Sequence, residues 1–566
     1  MRTTLLALTV LLSAACSSGP DAQSPKNDLP EPKLGGEKGQ VVEKGGPSGD
    51  PFAITGLVRE EQLPLLKGPA PSFAEVKLGA APKGVAAPPK ECGAFTKRAA
   101  KAKATCGDKA KVLEALDAAL ATEAADARDE ALVALEACTA EIPNGIVRSL
   151  RVELAPPGCG DALVEGFFGA AKKPEGVPGA VQHALVGQAL AARLHRAVQS
   201  PPQPKAPFTK QRVGEFVKGP MWKWFTEQAV AVQELAKAGS ELSSYGKGVV
   251  AVAAGTADLR MVEAVRDIPI PEEFQKDPEL ANAYYASLDE QLEPRKTRGR
   301  DGALAGLREL AHAGVLKSAR VDAARNLLAK LYGGRRVDSL DALVLPPMPA
   351  PSTAKVNDRL ARTLPTFYAG LLLPPEAATD AATLRSMIHT GIPIPQRAAL
   401  KEADASLSNE VRSLYARGRM AMGIRYWRAV DFDAAAAQLA KVPKDKLSAD
   451  DRLVFALAIA LRRGPEDVAV LMLKNEGFSP EFGDVRALDV VAGEGAAPGA
   501  GIAAFNAGVV RTIAAPRDAD PKYWENLAER FAKASELLSD PAAKKEAAER
   551  SKAAAAAAKA IARTMP

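Results

Sequence analysis

Apolar residues recur at helical spacing along most of the chain, broken by short Pro- and Gly-containing stretches. The pattern predicts helices over 108–122, 125–139, 178–199, 220–238, 278–291, 302–314, 319–331, 356–364 and 379–389. In 220–238, Met221, Trp224, Phe225, Val232 and Leu235, with small Ala229 between them, define one buried stripe. Strand patterning is scarce. Its best instance, "GVVAVAAG" (248–255), is rich in alanine and reads better as a buried helix. Helix starts carry their own chemistry: Asp520-Pro521 and Asp540-Pro541 each set a capping carboxylate before a first-turn proline. Ser448 with Asp451 forms a capping box. The expected fold class is all-α.

The amino-terminal segment departs from this rhythm. Arg2 precedes an apolar run from Leu5 to Leu12, about eight residues against the roughly 20 that a membrane span needs. Small residues Ser13-Ala14-Ala15 follow, then Cys16. This stretch resembles a bacterial lipoprotein signal peptide with its lipobox. The resemblance implies cleavage after residue 15 and acylation of Cys16, and Ser17 after the cysteine implies the outer membrane. An ordinary secretory signal cut near Ala15 is the alternative. Residues 17–51 are Gly, Pro, Ser, Lys and Glu with few large apolar groups, too little to offset the entropy of ordering. As a coil such a tether would reach about 30–35 Å.

Apart from Cys16, the cysteines Cys92, Cys106, Cys138 and Cys159 cluster in one segment. An even number in an exported chain suggests two disulfides, with three possible connectivities. Antiparallel pairing of helices 108–122 and 125–139 would bring Cys106 beside Cys138. A helix over 94–105 would hold Cys92 and Cys106 about 18 Å apart, beyond disulfide reach. The preferred pairs are therefore Cys106–Cys138 and Cys92–Cys159, acting as structural clips. A metal site lacks the Cys-x-x-Cys spacing and a nearby histidine.

Near the carboxyl end, "MGIRYWRAVDFDAAAAQLAKVP" (422–443) carries Gly423, Tyr426 and Ala435 at small, aromatic and small positions, with Asp431-Phe432-Asp433 between. Ala469 and Leu473 follow Ala435 and Leu439 at an interval of 34 residues. This pattern resembles a tetratricopeptide repeat. The resemblance implies that Gly423, Tyr426, Ala435 and Leu439 lie where two helices touch and that residues 431–433 form the turn. "LVFALAIALRRGPEDVAVLML" (453–473) reads as a second unit and 501–539 as a degenerate pair. Such helix pairs cannot cover their own apolar faces and stack into a curved α-solenoid; a compact bundle is the alternative.

Composition narrows the function classes. Of 566 residues, 47% are hydrophobic but only 5% aromatic, which suits closely stacked alanine-rich helices. Lys and Arg number 74 against 68 Asp and Glu, a net charge of +6, too mild for a nucleic-acid surface. The four histidines, His183, His195, His312 and His389, form no His-Glu-x-x-His pattern and read as satisfied surface or core residues. Ser244-x-x-Lys247 and Ser352-x-x-Lys355 match the nucleophile motif of penicillin-recognising enzymes, but the sheet that chemistry requires is not visible. The neighbouring carboxylates Glu60/Glu61, Glu272/Glu273 and Asp289/Glu290 do not face one another on a helix. No catalytic residue, metal or cofactor is expected.

Two stretches suggest binding surfaces. "EPRKTRGRD" (293–301) gathers Arg295, Lys296, Arg298 and Arg300 in an expected loop ahead of a helix capped by Asp301, suited to an anion or to pairing with Asp289 or Glu290. "GPMWKWF" (219–225) turns Trp222 away from the Trp224 stripe, as an interface anchor or against a second helix.

The expected organisation is a signal peptide (1–15), acylated linker (16–52), extended segment (53–90), disulfide-clipped helices (91–165), helical domain (166–405) and tetratricopeptide-like repeats (406–566). The expected function is a lipid-anchored, periplasm-facing scaffold that binds envelope proteins, as an assembly or docking factor. Capture of a glycan or peptide is the alternative, and a cell-wall glycosidase on a helical superhelix a third reading.

Overall fold

The computed structural model describes residues 49–54, 58, 73–100, 103–168, 176–313, 315, 318–332, 340–346, 355–364, 366–373, 408–462, 485–495, 499–515 and 519–564. Among these residues the fold is all-α, without a strand. None of the described helices is long and apolar enough to cross a membrane. Cys16, the linker ahead of residue 49, the expected helix 379–389, Ser352, Ala469 and Leu473 lie outside the described residues.

The first helices are α1 (Cys92–Thr96), α2 (Lys109–Ala121), α3 (Ala125–Leu135), α4 (Ile146–Val152) and α5 (Gly160–Val164). Asp108 starts α2 by accepting from the amides of Ala110 and Lys111 at 3.0 and 3.3 Å. The hairpin α2–α3 forms as expected, whereas α1 stops at Thr96 and does not reach 105. Next comes α6 (Gly179–Ala197), buried at every position except Gly179 and His195. A helix buried all round must sit at the centre of its neighbours, and α4, α5, α8 (Trp222–Ser240) and α9 (Ser244–Arg266) surround it. Ahead of α8, α7 (Lys210–Phe216) runs on through a π turn at Val217–Met221. The stretch read as a buried helix, 248–255, lies within α9.

Backbones approach closely at this centre because glycines line it. A Cβ at Gly187 of α6 would stand 2.5 Å from the Gly246 carbonyl oxygen of α9. On the far side of α9, Gly255 meets the Gly299 carbonyl and the Ala303 amide. The last two lie on α11 (Pro278–His312), which follows the short α10 (Glu272–Gln275). The α9–α11 crossing is the most extensive helix contact among the described residues.

α11 corrects the sequence reading. Helices 278–291 and 302–314 are one helix, and the basic loop between them does not exist. Pro294 removes one backbone donor, but buried residues on both sides of it (Leu288, Leu292, Arg295, Gly299, Ala303 and Leu307) keep the helix running. Asp301 is therefore not a cap; it lies in mid-helix and pairs with Arg300 at 2.7 Å.

α12 (Ala319–Leu331) follows, then α13 (Val356–Thr363) and α14 (Thr366–Leu372). Arg359 of α13 returns to Asp117 of α2 at 2.8 Å. The carboxyl-terminal helices are α15 (Asn409–Tyr426), α16 (Ala429–Leu439), α17 (Ala449–Leu461), α18 (Arg486–Gly493), α19 (Ala500–Ile513), α20 (Pro521–Leu537) and α21 (Pro541–Thr564). Among the described residues, each of these helices packs on the next described one, so this half is a serial stack of helices. Its starts are capped as the sequence predicts: Ser448 and Asp451 exchange bonds at 3.1 and 3.4 Å, and Asp520 and Asp540 each accept a backbone amide at 2.7 Å. One hydrophobic core runs from Val112 to Ala554, beside a second, smaller one between α6, α8, α9 and α11.

Candidate functional site

Both disulfides form the preferred pairs. Cys92 joins Cys159 and Cys106 joins Cys138, each with Cα atoms 5.2 Å apart. Glu141 brings a carboxylate near the second pair, but both sulfurs are already bonded and Glu141 accepts the Gly107 amide at 2.8 Å. Thiolate ligation is closed there.

The repeat-like residues sit at a helix junction. A Cβ at Gly423 would stand 2.5 Å from the Phe432 ring, so Gly423 admits that ring between α15 and α16. Ala435 and Leu439 are fully buried on α16. The hydroxyl of Tyr426 donates to the Val315 carbonyl at 2.5 Å, tying α15 to the end of α11 rather than to α16. The expected turn at 431–433 is a correction. The chain turns at Trp427-Arg428, where fully buried Trp427 has φ 55°, and Asp431 and Asp433 lie on α16. Both carboxylates are buried and need cations: Asp431 pairs with Arg419 and Arg428, and Asp433 with Arg462. The polar residues that look like a turn in sequence are thus internal ion pairs.

The four basic residues of 293–301 have partners other than those expected. Buried Arg295 and half-exposed Arg298 both reach Asp258 at 2.7 Å, and Arg295 also covers the Phe225 ring at 4.6 Å. Lys296 pairs with Glu293 at 3.6 Å and lies over Tyr332, while Asp289 pairs with Arg266. Arg295 and Arg298 thus join α11 to α9. Trp222 is half-buried. Met221, Phe225, Val232 and Leu235 form the buried stripe, with Trp224 and Ala229 partly buried against it.

Residues 73–90 form an arrangement that the sequence did not show. They run without helix or strand along α6, and polar side chains of α6 receive their carbonyls. His183 Nε2 bonds to the Ala74 carbonyl at 2.8 Å, Arg193 donates to Gly79 at 2.6 Å, and Arg196 donates to Ala86 at 2.8 Å. His183 is the satisfied core histidine that was expected, since its Nδ1 accepts the Ser243 amide at 2.9 Å. Arg196 also grips buried Asp161 through two bonds of 2.6 and 2.7 Å. α6 can therefore be buried although it carries two arginines, because the chain's own backbone supplies the acceptors.

Where α4, α6, α9 and α12 meet there is a partly open cavity of about 110 Å³. Its wall is mostly alanine, leucine and valine, interrupted by Glu153, His195, Arg260 and Arg320. His195 Nδ1 lies 3.5 Å from an Arg260 guanidinium nitrogen. Burial, then the charges of Arg260, Arg320 and Arg196, push the imidazole down to about 4, so it is neutral near pH 7. Glu153 Oε1 accepts from Tyr245 at 2.5 Å and from Gln188 at 2.7 Å. Burial, then the Glu153 charge, holds the Tyr245 phenol well above its ordinary range. The Ser149 hydroxyl donates to Gln188 Oε1 at 2.8 Å and also bonds the Tyr368 hydroxyl. The carboxylate wall is thus fixed from behind. Among the described residues, neither Arg260 nor Arg320 meets a carboxylate, and the buried Nε of Arg320 has no hydrogen-bond partner.

Comparison with protein-family models, with curated proteins and with solved structures finds no match to this chain.

Proposed function

We propose that this protein is a lipid-anchored scaffold of the bacterial outer membrane, facing the periplasm, whose tetratricopeptide-like hairpins hold partner proteins of an envelope complex. The observation that supports it is the fastening of residues 73–90 to α6 through His183, Arg193 and Arg196. On this reading the segment that follows the acylated Cys16 and its linker is locked to the helical body, so the lipid positions the whole stack. The serially stacked helices α15–α21 supply the repeated surface on which partners dock. The test is metabolic labelling with a radioactive fatty acid, followed by mild crosslinking in intact cells. Label on the wild type, none on Cys16→Ala, and envelope proteins recovered at fixed stoichiometry only from the wild type are expected. Unlabelled wild type overturns the anchor; labelled protein with no crosslinked envelope partner overturns the scaffold.

Capture of a ligand, expected above as a glycan or peptide, is the second reading; the cavity between α4, α6, α9 and α12 supports capture, but at about 110 Å³ it holds only a few heavy atoms.

A further inference from the structure

We propose that the cavity bounded by Glu153, His195, Arg260 and Arg320 binds a small aliphatic monocarboxylate, its carboxylate on the two guanidinium groups and its alkyl part against the alanine, leucine and valine wall. This goes beyond the scaffold reading and does not rest on it.

Three observations carry the assignment. The first is the contrast between arginines. Arg193 and Arg196, one turn apart on α6, are neutralised by Asp161, with Glu165 beside Arg193. Arg260 and Arg320, across the cavity, meet no carboxylate among the described residues, and Arg320 keeps a buried donor unsatisfied. Buried donors without acceptors are costly, and a planar guanidinium matches a carboxylate with two parallel bonds.

The second is charge balance. The titratable groups facing the cavity are His195, Arg260, Arg320 and Glu153, with Arg196 and Tyr245 behind the wall. Arg196 is cancelled by Asp161, Tyr245 is a neutral donor to Glu153, and His195 is uncharged above pH 5. Two guanidiniums against one carboxylate leave a single positive charge, which one carboxylate cancels. A phosphate dianion overshoots it, and a cation adds to it.

The third is size and lining. A cavity of about 150 Å³ holds benzene, so one of about 110 Å³ suits a short chain of four to six heavy atoms. Leu194, Val198, Ala253 and Ala257 give that chain an apolar bed.

The test uses the purified full chain with butyrate, inorganic phosphate and butylammonium as probes, followed by titration calorimetry at pH 7. Butyrate is expected to bind saturably at one site, with phosphate at least tenfold weaker and no heat of binding from butylammonium. Arg260→Gln and Arg320→Gln should each weaken butyrate at least tenfold. Ala323 is exposed at the rim, so Ala323→Phe should fold and block entry even where an arginine variant does not. The titration of the His195 imidazole, assigned by its loss in His195→Gln, should move upward when butyrate is present, because a nearby anion favours the imidazolium. Absence of saturable butyrate binding overturns the proposal, as does binding unchanged by Arg320→Gln and Ala323→Phe. Phosphate binding as tight as butyrate overturns the carboxylate assignment.

Discussion

His195 of α6 and Arg260 of α9 face each other with 3.5 Å between imidazole and guanidinium nitrogens, an approach that only a neutral histidine tolerates. The imidazole titrates near 4 in the fold and near 6.5 in the unfolded chain. Between those values the unfolded state binds more protons, so the contribution of neutral His195 is complete above about pH 6.5 and is lost as pH falls to 4. Because the ring is partly exposed, we expect a loss of about 2 kcal/mol rather than the full shift. His195→Gln should remove that part of the slope, read as the difference in urea midpoint between variant and wild type at pH 7 and pH 4.5.

The glycine contact between α6 and α9 makes a second, sharper prediction. A Cβ at Gly246 would overlap the His183 carbonyl oxygen, whereas one at Gly214 on α7 meets nothing within 4 Å. Gly246→Ala should destabilise by about 2–4 kcal/mol through overpacking. Gly214→Ala should be neutral or stabilising by about 0.5–1 kcal/mol, since it only adds helix propensity. Thermal melts of the two variants check the sign difference.

Breaking the grip of α6 on the segment beside it should expose that segment. Arg196→Met leaves Asp161 with only the longer contact to Arg193, at 3.3 Å. A buried carboxylate deprived of its main partner costs about 3–5 kcal/mol. Trypsin should then cut at Lys77 and Lys83, which are exposed on residues 73–90, under conditions that leave the wild type intact there. Unchanged cleavage would mean that the His183 and Arg193 bonds, with the apolar contacts, hold the segment without Arg196.

The two disulfides close loops with sequence separations of 32 and 67. Loop-closure entropy assigns each about 4 kcal/mol, slightly more for the longer loop. Replacing Cys92 and Cys159 together by serine should therefore lower the melting temperature more than replacing Cys106 and Cys138. Peptide mapping without reduction should recover the Cys92–Cys159 and Cys106–Cys138 pairs, and no Cys92–Cys106 peptide.

Local chemistry was readable in the sequence, and chemistry assembled from distant segments was not. The Ser448–Asp451, Asp520 and Asp540 caps act within three residues, so each could be read from its own stretch. The pairing of Cys106 with Cys138 needed only one hairpin. Pro294 misled because packing on α9 outweighs one missing hydrogen bond. Asp431 and Asp433 misled because a turn and a buried ion pair use the same residue types, and Arg462 is needed to tell them apart. The cavity draws Glu153, His195, Arg260 and Arg320 from four separate stretches, none unusual in its own surroundings. Residues 73–90 gave no periodic signal because their carbonyls, not their side chains, make the polar contacts with α6.

The order of attachments along the amino-terminal part has a mechanical consequence. A pull applied at the amino terminus meets first Asp50 on Lys444 and Phe52 on Phe455, then the carbonyl contacts of Ala74, Gly79 and Ala86 on α6, and then the covalent Cys92–Cys159 link. Tension is thus shed in steps, in part onto a helix buried along nearly its whole length, and stops at a covalent bond. The stacked carboxyl-terminal helices therefore bear load before α6 does, and the covalent link bears what remains.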